Sequence, residues 1–180
     1  MDYKKQKSSN VLTIVFDNQE EFQLPPDALL ISDVLSHFTE SYRDDPNNNQ
    51  RVEINKKTGV TFENINMVFE FCIMYYQDPI APITQKVDKK HTLKDFLVCK
   101  RPYKYMDLLD RDIFELREFL QAADWLGVAI LVKLILISIK LNIQNKSRDE
   151  MIELLSDKFP IICTVPEVAK KYPMLLNKSE

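Results

Sequence analysis

The side chains able to do chemistry are few and scattered. His37 and His91 lie far apart, and neither has a second histidine or a carboxylate at ligand spacing, so both are expected to be surface or packing residues with no metal site between them. Cys72, Cys99 and Cys163 are odd in number and never form a C-x-x-C pair, which argues against a disulfide framework and against zinc, and for a reducing compartment. The acid pairs Glu20-Glu21 and Asp44-Asp45 are adjacent in loop-like sequence, where solvated charge is the ordinary role of such residues. A phosphate-cradling glycine loop, a nucleophile elbow and an H-E-x-x-H pair are all missing, and a chain with two glycines has little means of building the usual cofactor turns. No enzymatic activity and no cofactor are expected, so function must reside in surfaces.

Any such surface must be positioned by the stretch from Asp107 to Leu141. Leu116, Phe119, Leu120 and Ala123 fall at i, i+3, i+4 and i+7, the stripe of a helix with one buried face, and Gly127 then reads as a left-handed C-terminal cap. Ala129 to Leu141 is apolar almost all round and is expected to be enclosed by protein, with Lys133 and Lys140 sharing one narrow polar edge. A membrane span needs roughly 20 apolar residues; this run is shorter and holds two lysines. A buried strand would suit its β-branched content, but its length ahead of a polar Asn-Gln-Asn-Lys turn favours a helix. The pattern predicts a helical hairpin at the centre of the domain.

Upstream, Val11 to Phe16 and Glu21 to Leu24 read as a β-hairpin around Asp17-Asn18-Gln19. After Pro25-Pro26, the spacing of Ile31, Val34, Leu35 and Phe38 predicts a helix started by Asp33, and Arg43 to Gln50 reads as a mobile acidic loop. Arg51 to Ile54 is a short strand. Ile65, Val68, Phe69, Cys72, Ile73 and Tyr76 then mark a helix capped by Thr61, which turns Cys72 toward a core. Periodicity fails from Gln77 to Tyr105, where Lys86, Lys89, Lys90, Lys94, Lys100, Arg101 and Lys104 face only Asp88 and Asp95. That loop is either simply solvated or a docking site for an acidic partner. In the tail, Ser147-Arg148-Asp149-Glu150 and Thr164-Val165-Pro166-Glu167 match capping boxes and predict short helices over Arg148 to Ser156 and Val165 to Tyr172. Their apolar residues either pack back on the domain or form a groove for another protein.

The 180 residues are 45% hydrophobic, enough for one good core, and divide into an N-terminal segment 1–10, a domain 11–142 and a helical extension 143–180. A net charge of -3 and a pI near 5.5 give no general case for binding nucleic acid or an acidic membrane. The N-terminal MDYKKQKSSN has no apolar run behind its lysines, so a secretory signal is not expected and the cytoplasm or nucleus is.

The order of these elements resembles the S-phase kinase-associated adaptors of SCF ubiquitin ligases. Asp107-Leu108-Leu109-Asp110-Arg111-Asp112 stands for that family's Glu-Phe-Leu-Lys-Val-Asp, Ala122-Ala123-Asp124-Trp125-Leu126 for its Ala-Ala-Asn-Tyr-Leu, and Asn145-Lys146-Ser147 followed by Asp149-Glu150 for its Gly-Lys-Thr-Pro-Glu-Glu. The likeness extends from about Val11 to Tyr172 and is densest from Pro102 to Asp157. It implies an α+β, BTB/POZ-like fold with a small N-terminal sheet, a helical core and two appended C-terminal helices. It also implies a non-catalytic bridge between an F-box protein and a cullin scaffold. Asp124 and Trp125 match the cullin-facing Asn-Tyr pair, while Ile143, Met151, Leu154, Leu155 and Val168 lie on segments matching the F-box groove.

The chain also differs from that family. Lys104, beside Tyr103 and Tyr105, stands near the family's Trp before Glu-Phe-Leu; the middle loop is basic where the family's is acidic; Asp124 is charged where the family has an amide; and the Trp-Cys near the family's C-terminus is missing. The alternative is an elongin-C-like or self-associating BTB-fold assembly protein, a homodimer without cullin binding.

Overall fold

A computed structural model describes residues 11–16, 20–37, 39, 51–55, 59–144, 146–147 and 149–150. The expected turn at Asp17-Asn18-Gln19, the acidic loop 43–50 and nearly all of the two tail helices lie outside the described residues. The chain divides into two compact units, Met1–Asn142 and Ile143–Glu180.

The first unit is mixed α+β. Strand β1 (Leu12–Phe16) pairs antiparallel with β2 (Glu21–Leu24) from Leu12↔Leu24 to Val15↔Glu21, and parallel with β3 (Arg51–Ile54) from Thr13↔Arg51 to Phe16↔Ile54. The sheet order is therefore β2-β1-β3, with the most apolar strand in the middle. Leu12, Ile14 and Phe16 alternate onto one buried face, as the two-residue period of a strand requires. Val15 points to the other face and is also buried; Arg51 and Glu21 reach across β1 on that side in an ion pair of 2.8 Å.

Helix α1 (Phe62–Gln77) starts as expected, with the Thr61 hydroxyl accepting the Asn64 amide at 3.2 Å. Its buried face is wider than the predicted stripe. Met67 and Phe71 join Ile65, Val68, Phe69 and Cys72 in the core, because α1 has packing partners on more than one side. Tyr76, in contrast, is 51% exposed where the helix runs past the core.

Three expectations need correction. The helix expected from Ile31 to Phe38 is preceded by a 3-10 helix, Pro26–Ile31, with Pro26 early in its first turn. The Ser32 hydroxyl accepts the Leu35 amide at 3.0 Å and donates to the Leu126 carbonyl, so Ser32 ends that 3-10 helix and ties it to the central hairpin. Leu35 is buried but Val34 is 39% exposed, and the Asp33 amide donates to the Gly127 carbonyl. Phe38 lies outside the described residues.

The aperiodic span from Gln77 to Tyr105 holds structure as well. A Thr92/Asp95 capping box opens the 3-10 helix Leu93–Phe96, and Pro102 opens helix α2 (Pro102–Leu109). The first half of the hairpin is thus two helices: α2 stops at Asp110, and Asp112 then caps α3 (Ile113–Trp125) reciprocally with Glu115.

Third, α4 (Ala129–Gln144) is not enclosed all round. Leu131, Leu134, Ile135, Ile137 and Ser138 are buried, but Leu136 is 50% exposed. Lys133 and Lys140 do share an edge, and each ammonium donates to a carbonyl of the proline-containing loop, Lys133 to Ile83 and Lys140 to Val87. No helix among the described residues is long and apolar enough to cross a membrane.

In the second unit the described residues include the expected capping box: the Ser147 amide donates to Glu150 Oε2 at 2.6 Å, and the Glu150 amide to Ser147 Oγ at 3.3 Å. The amide and hydroxyl of Ser147 hold the Glu150 carboxyl below its ordinary range.

Candidate protein interface

The surface marked by Asp124 and Trp125 is built where α3 ends. Gly127, at φ 66°, occupies the left-handed region. Its amide donates to the Asp124 carbonyl at 3.0 Å, and the Val128 amide reaches back to the Ala123 carbonyl at 2.9 Å. This is a Schellman closure, with buried Val128 and buried Ala123 as its apolar ends. The closure satisfies the terminal carbonyls within the chain and leaves the Asp124 side chain exposed.

Trp125 is half-buried, following buried Ala122 and Ala123 and exposed Asp124, and it meets the aromatic end of β1. Its ring lies 6.3 Å from that of Phe16. Phe16 is in turn packed edge-on to Phe22 at 5.6 Å and Phe62 at 5.5 Å, and lies 6.4 Å from Phe69. Trp125 is therefore seated on an aromatic cluster drawn from β1, β2 and α1, while Asp124 beside it is exposed. The sequence alone placed this pair at a helix end, and the structure supplies the seat.

Two exposed apolar residues enlarge the surface. Leu30 and Val34, 42% and 39% exposed, lie on the segment that Ser32 and Asp33 fasten to the Leu126 and Gly127 carbonyls. The helical spacing of Val34 with Ile31 and Leu35 suits a core-facing stripe, yet Val34 lies at the surface. The signal that could have flagged it is Ser32, a hydroxyl able to turn the chain by accepting the Leu35 amide.

Of the residues that the resemblance would assign to an F-box groove, Ile143 is half-buried near the end of α4. Met151, Leu154, Leu155 and Val168 lie outside the described residues.

A third locus, not anticipated, fixes the chain between α1 and α2. Asp78 is 6% exposed and accepts the amides of Lys100 at 3.0 Å and Arg101 at 2.7 Å, while its own carbonyl accepts the Tyr105 hydroxyl at 2.7 Å. Burial would raise the Asp78 carboxyl, but the two amides and the charges of Arg101 and Lys100 outweigh it and hold the group below its ordinary range. Burial pushes the Tyr105 phenol up, and pushes the Cys72 thiol up to about 12, which leaves Cys72 an unreactive core residue. His91 has a loop-building part: its Nδ1 accepts the Asp88 amide at 3.0 Å and its ring stands edge-on to Phe96 at 5.4 Å.

No family model matches the chain, and no curated protein matches it in sequence.

Proposed function

We propose that the chain is a non-catalytic adaptor that bridges an F-box-type substrate receptor to a cullin scaffold in an SCF-like ubiquitin ligase, built on a BTB/POZ-type domain. The carrying observation is the end of α3, where an exposed Asp124 adjoins a Trp125 seated on Phe16. That is the position at which the resemblance expects a cullin-facing pair. A partly buried tryptophan is a frequent interface anchor, and an exposed polar neighbour suits the rim around it. The β2-β1-β3 sheet ahead of a run of helices supports the BTB/POZ reading, and the Ser147/Glu150 capping box supports a helix where the F-box segment is expected. In this reading the chain does no chemistry: it joins two partners in one complex.

One observation favours a second reading. β2 and β3 are the outer strands of the sheet, and the outer edge of β3 pairs with no strand among the described residues. Strand addition at such an edge is a route to self-association, which would suit an elongin-C-like or homodimeric assembly protein.

Co-expression with an F-box helix bundle and, separately, with a cullin N-terminal domain, followed by size-exclusion chromatography, tests the proposal. Co-elution with both is expected. Because Asp124 places a charge where the family it resembles carries an amide, Asp124→Asn should tighten the cullin complex. Elution apart from both partners would end the adaptor reading.

A further inference from the structure

The lysines of the aperiodic loop are joined in space by lysines far away in sequence. Lys133 and Lys140 reach the carbonyls of Ile83 and Val87, so both ammonium groups lie against the loop segment that carries the exposed Lys86. A carbonyl satisfies an ammonium's hydrogen bond but cancels none of its charge. The cations outnumber the carboxylates nearest in sequence: Lys86, Lys89, Lys90, Lys94, Lys100, Arg101 and Lys104 stand with Lys133 and Lys140 against Asp88 and Asp95, which keep their charge while accepting the Lys89 amide at 2.6 Å and the Thr92 amide at 2.7 Å. Two arginines pair with carboxylates elsewhere, Arg51 with Glu21 and Arg101 with Asp78. A chain of net charge -3 thus concentrates positive charge in one place.

The same place exposes apolar surface. Leu136 lies on α4 between Lys133 and Lys140, three residues after the first and four before the second, so the three side chains share a face. It is 50% exposed on a helix whose other leucines are buried or half-buried. Beside the loop a cavity of about 120 Å³, lined in part by Pro82, Ile83, Phe96 and Val98, opens next to Lys86 in sequence.

We propose that the strip formed by Lys86, Lys133, Leu136 and Lys140 is a docking surface for a short acidic segment of another protein that carries apolar side chains among its carboxylates. Charge complementarity selects the acid, and the exposed leucine selects an apolar side chain beside it. A long polyanion fits less well. The charges of the strip are lysine point charges, not the planar guanidinium forks suited to phosphate. The proposal uses none of the residues assigned to cullin or F-box contact, so it stands or falls apart from the adaptor reading.

The test is fluorescence anisotropy of the full chain with a labelled peptide of interspersed glutamate and leucine, beside a single-stranded RNA of equal charge and vesicles of anionic phospholipid. Saturable, salt-sensitive binding of the peptide is expected, weakened about tenfold by Lys86→Glu, whose side chain is exposed, and also by Leu136→Gln. Lys133→Glu/Lys140→Glu should weaken it further, with circular dichroism reporting whether the loop attachment survives. The proposal is overturned by no peptide binding at low salt, by binding unchanged in Lys86→Glu and Leu136→Gln, or by tighter binding of the RNA or the vesicles.

Discussion

Phe16→Ala should cost about 3–5 kcal/mol of stability, a large part of the 5–15 kcal/mol typical of a folded domain. Phe16 is 2% exposed and touches rings from β2, α1 and α3, so its removal opens a cavity that no single neighbour can fill. Trp125 is the one tryptophan in the sequence, which makes its fluorescence a direct reporter of the candidate interface. Chemical denaturation should show the loss of stability, and the emission of the folded variant should move toward that of a more hydrated indole. A loss below about 1 kcal/mol with unchanged emission would mean that Trp125 does not depend on this cluster.

The second large effect is expected at the turn between α3 and α4. Gly127→Val should destabilise by roughly 2–4 kcal/mol, combining the cost of a side chain in the left-handed region with that of forcing packed groups apart. The space is taken: a Cβ at Gly127 would lie 3.0 Å from Asp33 Cβ and 3.3 Å from the Asp33 amide nitrogen. Gly59 provides the control, since it too has positive φ, at 86°, but a Cβ there meets no described atom within 4 Å. Gly59→Ala should therefore cost only the conformational part, about 1–2 kcal/mol. Thermal melts of the two variants separate the contributions, and equal losses at both sites would remove the argument for close docking at Gly127.

Local patterns were legible where one physical rule acted alone. The two strands of the hairpin, the strand Arg51–Ile54, the Thr61 cap, the Gly127 stop and the Ser147/Glu150 box each follow from a few neighbouring residues. The failures came where a distant partner decided the outcome. Val34 has core spacing, yet Ser32 bonds to Leu126 and Asp33 to Gly127, and Val34 is left at the surface. The break at Asp110 was missed although Asp112 and Glu115 are a legible capping box, because the apolar residues on either side read as one helix.

The interface was legible only in part. The resemblance singled out Asp124 and Trp125, but the burial that seats the indole comes from Phe16, more than a hundred residues earlier. Likewise, hydropathy marks Ala129 to Leu141 as enclosed, whereas Leu136 is exposed between two lysines whose ammonium groups donate to loop carbonyls. The parallel pairing of β3 with β1 and the Asp78 clasp on Lys100 and Arg101 also join residues distant in sequence, and no local signal announces them.

The central claim is bridging, and sedimentation velocity on a mixture of the full chain, a cullin N-terminal domain and an F-box helix bundle tests it most directly. The adaptor account predicts one species containing all three proteins, faster than either pairwise mixture and absent when the chain is left out. A chain that sediments alone or as its own dimer, with the cullin domain and the F-box bundle unbound beside it, would contradict the account.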